Sequence, residues 1–395
     1  MKKIKMMMAA ALGVLVSCGS VKSGEEVVAA SRESKVVVAY VTSWSEVMPD
    51  PQYMTHINYA FGHVNESFNG VKIDNEERLR QIVDLRKQKP ELKVLLSIGG
   101  WGSGRFSEMA ANDEYRRAFA ADCDRVVKEF ALDGIDIDWE YPTSSMANIS
   151  SSPDDTENFT LLMQDIRAAI GNEKELTLAT VASARYIDFK AILPSVDFVN
   201  IMAYDMASAP KHHSALYPSG HSGDITSDGA VTAHLKAGVP PSKLVMGMPF
   251  YGRGGDGYPS FQDYNKVGNT DTQYTEKWDE VAQVPYLADK NDTLVFGFEN
   301  PRSLAIKCQY ILDKDLLGGM YWDYSGDNEQ GDLRRTVAEN LLGKPHKAKV
   351  LVLTERGGQH GGFTDAGLRW LAAEGAKGNF SITEINNARN ITEAY

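Results

Sequence analysis

From Lys35 onward, short apolar runs alternate with longer amphipathic stretches eight times, and few folds accommodate that rhythm. The runs span residues 36–41, 56–62, 93–100, 134–141, 176–183, 198–205, 244–252 and 319–325. Helical spacing appears between most of them, at 76–88, 114–130, 157–170, 227–236 and 301–313. Near-continuous apolar strands separated by helices predict a parallel sheet covered on its outer face. Eight such units fit a closed α/β (β/α)8 TIM barrel over residues 35–343. An open doubly wound sheet is the competing arrangement, but no Gly-rich phosphate loop follows the first run. In a barrel, function collects at the C-terminal ends of the strands. Several runs end there in aromatic or polar residues: Tyr40 to Trp44, Gly99-Gly100-Trp101, Glu140-Tyr141, Tyr204-Asp205, Tyr251 and Trp322-Asp323.

The fourth run, Asp133-Gly-Ile-Asp-Ile-Asp-Trp-Glu-Tyr-Pro142, carries the most chemistry. Read as a strand, its period of two puts Asp136, Asp138 and Glu140 on one face and Ile135, Ile137 and Trp139 on the other. Successive carboxylates then lie about 7 Å apart. Like charges this close, half-buried, repel, so at least one should keep its proton to high pH. That suits a general acid; a hard-cation site would use the same residue types. His212, His213 and His221 fit no metal-ligand spacing and read as flexible polar loop residues. No metal and no cofactor is expected.

Composition narrows the partners. A formal charge of −12 over 395 residues, with no basic stripe beyond the first few residues, argues against nucleic acid. Cys123 and Cys308 sit at helical spacing among apolar residues and read as free core thiols. Residues 253–300 are rich in aromatics and read as a small insertion before the last βα unit. Those rings could wall a sugar site or fill the insertion's own core. Beyond residue 343 the chain reads as a βαβ-like segment, with a strand near 350–354, a helix at 363–373 and a strand at 380–385. Its stretch 350–371, with Gly357-Gly358-Gln359-His360, resembles the opening of trehalose-utilisation-like domains and is assigned no activity.

The N-terminus has a targeting pattern: Lys2, Lys3 and Lys5, then a short apolar run ending in Leu15-Val16-Ser17-Cys18-Gly19. This resembles a bacterial lipobox, which implies lipidation at Cys18, a tether over 19–34 and anchoring in the cell envelope. Gly19 after Cys18 points to the outer membrane. Ordinary signal-peptidase cleavage near Ser17 or Ser20 is the alternative.

Taken together, the motifs resemble the chitinase-type glycoside hydrolases of family 18. Asp133–Glu140 fits that family's DxxDxDxE signature and continues into Tyr141-Pro142. Ser97-Ile98-Gly99-Gly100, Met202-Ala203-Tyr204-Asp205 and Trp322 follow in order, and segments 281–286 and 298–303 are similar to the chitinase insertion. The resemblance implies hydrolysis of β-1,4 bonds between N-acetylglucosamine units, with the substrate's own acetamido group as nucleophile. Glu140 would be acid and then base, Asp138 would hold the acetamido N–H, and Asp136 would share a proton with Asp138. Tyr204 would donate to the acetamido oxygen. Tyr40, Phe61, Ser97, Gly100, Trp101, Met202, Asp205, Arg253 and Trp322 would bind or support the sugar, with Trp44 a further candidate. The implied partner is chitin, a chito-oligosaccharide or another N-acetylglucosamine-containing glycan, bound by a monomer. An endo-β-N-acetylglucosaminidase acting on N-glycan cores shares the signature. A non-catalytic lectin would lack the acid at Glu140, which is present.

Overall fold

The computed structural model describes residues 35–255, 257–267, 273–343, 348–354 and 380–386. Cys18, the expected leader and tether, the Gly357–His360 motif and the expected helix at 363–373 lie outside these residues.

Eight parallel strands close into a barrel: β1 (Val36–Thr42), β2 (His56–Val64), β3 (Lys93–Gly99), β4 (Gly134–Asp138), β5 (Glu175–Val181), β6 (Phe198–Met202), β7 (Leu244–Pro249) and β8 (Gly318–Trp322). Closure is direct, because β8 pairs with β1 from Val36↔Gly318 to Ala39↔Tyr321. The architecture is the (β/α)8 barrel expected from the rhythm of the runs. Six strands end before their apolar runs do, at Gly99, Asp138, Val181, Met202, Pro249 and Trp322. The residues beyond those points leave the ladder, and those after β7 enter the insertion sheet at Tyr251. A short strand, Val71–Ile73, pairs antiparallel with β2 outside the ring.

The helices follow from their caps and apolar faces. The Asn75 side chain caps α1 (Glu76–Val83), and α2 (Phe106–Ala111) leads into α3 (Asp113–Glu129), which Asn112 caps through two backbone N–H groups. Next, α4 (Asp155–Ile170) buries Phe159, Leu162, Met163 and Ile166, each stabilising the fold by roughly 1.5–3 kcal/mol. Then come the short α5 (Phe189–Ile192), α6 (Ser227–Lys236), α7 (Pro301–Asp313) and α8 (Asp332–Leu342). An Asn300–Ser303 capping box with Pro301 in the first turn starts α7. Between β1 and β2 there is only a single 3-10 turn, Pro51–Tyr53. Pro49 and Pro51 exclude a longer helix there, and α8 packs against that turn and β1 instead. Cys123 and Cys308 are free and fully buried in the core. No helix among the described residues is long and apolar enough to cross a membrane.

The insertion is an antiparallel sheet in the order Gln262–Asp263, Tyr251–Gly254, Leu294–Gly297, Val284–Ala288, Thr275–Asp279. Its own core holds Leu287, Phe296 and Phe298, with Tyr258, Tyr264 and Tyr274 packed on it. Most of the insertion's aromatics therefore serve packing. Phe261 is the exception: it is 43% exposed and stacks on Tyr251 at 4.7 Å. In the tail, Ala348–Thr354 and Phe380–Asn386 pair in parallel.

Candidate active site

The register of β4 builds the site from its base. Asp136 lies level with Ser97 on β3 and Thr177 on β5. Neighbouring inward-facing hydroxyls therefore point at a fully buried carboxylate. Its Oδ2 accepts from Tyr40 Oη and Ser97 Oγ, both at 2.8 Å. Its Oδ1 accepts from Thr177 Oγ1 at 2.6 Å and Asn200 Nδ2 at 3.3 Å. Burial pushes this carboxyl up, and the four donors pull it back only in part.

One step higher, Asp138 Oδ1 is buried without a hydrogen-bond partner. Burial, and then the charges of Glu140 and Asp136, hold its carboxyl well above the ordinary carboxylate range. Behind it, the Gly99-Gly100 pair admits the chain where a side chain could not fit. At Gly99 the backbone takes φ +132°, and a Cβ would stand 1.9 Å from the Asp138 carbonyl oxygen. Gly100 N donates to that oxygen at 2.9 Å, and a Cβ on Gly100 would enter the Phe61 ring.

Glu140 does not lie on the strand, contrary to the period-of-two reading, because β4 ends at Asp138. It follows in a bend but still faces the same cleft as Asp138. Its carboxyl is pushed up to about 7, chiefly by burial and further by the charge of Asp205, with the Tyr141 hydroxyl tempering the rise. This group holds a proton near neutrality and can give it up.

The cleft is a cavity of about 620 Å³. Tyr40, Phe61, Trp101, Asp138, Glu140, Met202, Tyr204, Asp205, Arg253 and Trp322 all line it, as does Trp44. Ser97 and Gly100 do not; Ser97 is fully buried behind the wall, bound to Asp136, and Gly100 backs Asp138 and Phe61. Their part is to place other groups rather than to touch a ligand. Trp322 forms an aromatic floor, stacked on Phe61 (5.6 Å, 20°) and tilted against Tyr40 and Trp44. At the rim, Trp44 and Trp101 are more than half exposed. Trp139 packs on the far side of β4, stacked on Phe106.

On the opposite flank, Tyr204 Oη lies 3.7 Å from Met320 Sδ. A Cβ at Gly247 would come within 2.8 Å of the Tyr204 ring, so that glycine clears its space. Burial, with Asp138 and Glu140 nearby, pushes the Tyr204 phenol well up and keeps it a donor. Arg253 grips Asp205 with two hydrogen bonds, at 2.7 and 2.5 Å. Burial alone would raise the Asp205 carboxyl, but Arg253 and the nearby His213 override it and hold it below the ordinary range.

The loop histidines need correction. His212 and His213 are not flexible polar residues; they are 2% and 1% exposed. His212 Nε2 meets Asp279 at 3.2 Å, tying the loop to the insertion, and His213 Nδ1 lies 3.4 Å from Asp205. No group of three or more candidate metal ligands occurs among the described residues. Sequence reasoning missed Thr177, Asn200, Arg185 and Tyr186, whereas Tyr251, expected at a strand end, does line the cleft. For Asn200 a signal existed, since it is the one polar residue of its strand and stands at its centre.

A proton donor near neutral pKa stands beside a buried, unpartnered acceptor over an aromatic floor. That set can protonate a bridging oxygen and hold an N–H of a neutral ligand. Comparisons with known proteins agree with it. The model of the glycosyl hydrolases family 18 matches residues 36–327. Chitinase A1 of Niallia circulans is 29% identical over 76% of this chain, which spans 58% of that enzyme's length. Mouse chitotriosidase-1 is 31% identical over 75% of this chain and 74% of its own. Among solved structures, a family 18 N-acetylglucosaminidase from Paenibacillus barengoltzii superposes with a TM-score of 0.72 at 32% identity, covering 78% of this chain and all of that one.

Proposed function

The chain belongs to glycosyl hydrolase family 18, and from that footing we propose that it hydrolyses β-1,4 bonds between N-acetylglucosamine units of chitin or chito-oligosaccharides. Glu140, holding its proton up to about pH 7, protonates the bridging oxygen as the C1–O bond breaks. The acetamido carbonyl oxygen of the same sugar attacks C1 from the opposite face and forms an oxazolinium ion. Asp138 accepts the acetamido N–H, which orients the nucleophile and offsets the positive charge that develops. Tyr204 donates to the acetamido oxygen. Asp136, braced by its four donors, shares the titration of Asp138. Glu140, now a carboxylate, takes a proton from water, whose oxygen attacks C1 and opens the oxazolinium ring. Two inversions leave the configuration retained, and no second carboxylate attacks the sugar, unlike the usual retaining pair.

One observation carries this reading: a buried Asp138 oxygen without a protein partner, in the same cleft as the raised Glu140. An acetamido N–H would satisfy it. The Paenibacillus neighbour is named an N-acetylglucosaminidase, which supports release of single units as a second product pattern. Digestion of a chitotriose-to-chitohexaose series tests both. Native protein should cleave it and Glu140→Gln should lose at least about a thousandfold in kcat. Activity on glycoprotein N-glycans alone, or turnover by Glu140→Gln, would sink the assignment.

We also propose lipid attachment at Cys18, with the catalytic barrel held at a bacterial outer membrane. Support comes from the basic start, the short apolar run and the Leu15–Gly19 pattern. Radiolabelled palmitate should enter the native protein and not Cys18→Ser; equal labelling of both contradicts it.

A further inference from the structure

One wall of the cleft has no part in the steps above. The chain leaves β5 through Ser183-Ala184-Arg185-Tyr186, and Ser183, Arg185 and Tyr186 line the same cavity as Asp138 and Glu140. This loop is held in an unusual shape. Ala184 and Tyr186 both take left-handed backbone angles, φ 57° and 75°. Residues with a Cβ stay there only where their surroundings over-determine them, and such sites cluster at functional surfaces. The surroundings can be named. Ala184 N donates to the Val181 carbonyl at 3.0 Å, and Thr156 on α4 donates to the Tyr186 carbonyl at 2.9 Å. The Tyr186 ring stacks on Tyr141 at 5.6 Å and 15°. Arg185 Nε donates to Ser183 Oγ at 2.9 Å, and its guanidinium lies 5.4 Å from the centre of the Tyr186 ring. Packing thus reaches from the residue after Glu140 to an exposed guanidinium.

Position around the barrel gives this wall its meaning. β5 stands four strands from β1, and β4 four strands from β8. Arg185 and Tyr186, after β5, therefore stand opposite Tyr40 and Trp44, while Glu140 and Tyr141, after β4, stand opposite Trp322. A sugar resting on Trp322, with Glu140 at its bridging oxygen, sends its leaving group toward β4 and β5. A guanidinium supported on an aromatic ring offers a flat surface edged with N–H donors. It suits the ring face of a second N-acetylglucosamine and the carbonyl of its acetamido group.

We propose that Arg185, positioned by Tyr186 and Tyr141, binds the first leaving-group sugar and so determines where a chain is cut and which acceptors compete with water. This rests on the substrate-assisted reading above. Chitobiose oxazoline is a donor already activated and without a leaving group, and it separates the two ideas. With that donor and added chitobiose, the ratio of transfer to hydrolysis should fall about fivefold in Arg185→Ala and in Tyr186→Ala, as expected for losing one or two contacts to the acceptor. Chitohexaose cleavage should show a similar rise in KM and a changed product pattern. Arg185→Lys keeps the charge but not the planar fork, and should recover only part of the ratio. If native protein fails to hydrolyse the oxazoline, the substrate-assisted reading falls. If it does hydrolyse it, and both alanine variants keep the native ratio and product pattern, the leaving-group role of Arg185 is overturned. Arg185 is exposed, so its variant decides the matter even where Tyr186→Ala does not fold.

Discussion

Glu140 shows how much chemistry a single environment can set. Burial and the negative charge of Asp205 raise its carboxyl to about 7, so the donor form exists below that pH and is lost above it. Asp205→Asn removes the charge and leaves Arg253 without its partner, and both changes favour the ionised form of Glu140. The alkaline limb of the kcat–pH profile should therefore move down, by about half a unit to one unit; a limb that stays or moves up contradicts the electrostatics. The same shift bears on stability. A folded-state pKa near 7, against an ordinary unfolded glutamate, means that the folded protein binds the extra proton and loses stability as pH rises from the ordinary range through 7. Glu140→Gln should accordingly stabilise the fold more at pH 8 than at pH 5, by roughly 1–3 kcal/mol. Urea unfolding at the two pH values measures it. Asp136, Asp138 and Glu140 were legible because their spacing is short-range. Asn200 stands out as the one polar residue of its strand and Thr177 does not, and only the closed register reveals that both meet Asp136. His212 and His213 were misread because their partners, Asp279 and Asp205, lie on other elements.

At the level of elements, the apolar runs located the strands well and their ends poorly. Six runs continue past the ladder into residues, among them Glu140, Tyr204 and Tyr251, that line the cleft instead. Period and hydrophobicity do not separate a strand from a buried turn. The missing helix between β1 and β2 was legible in Pro49 and Pro51, whereas its replacement by α8 depends on ring closure. The β3–β4 crossing is the most demanding junction. Gly99→Ala would press a methyl into the Asp138 carbonyl at a backbone angle unfavourable to alanine. It should destabilise the protein by about 3 kcal/mol or more and displace Asp138, lowering kcat along with the urea midpoint. A fully active, equally stable variant would contradict this account of the double glycine.

For the whole molecule, the barrel brings side chains from β1, β2, β4, β5, β6 and β8 to one cleft, and the insertion adds Phe261 beside Tyr251 and Arg253. A chain of net charge −12 lines that cleft with aromatics and pairs its Arg253 with Asp205, consistent with a neutral polymer as ligand. The central claim is that the substrate supplies its own nucleophile. It is tested most directly by following chitopentaose and its fully de-N-acetylated counterpart by proton NMR during the first minutes of reaction. The account predicts that chitopentaose yields the β-anomer first and that the de-acetylated chain is not cut. Initial α-anomer, or cleavage of both chains at comparable rates, would contradict it.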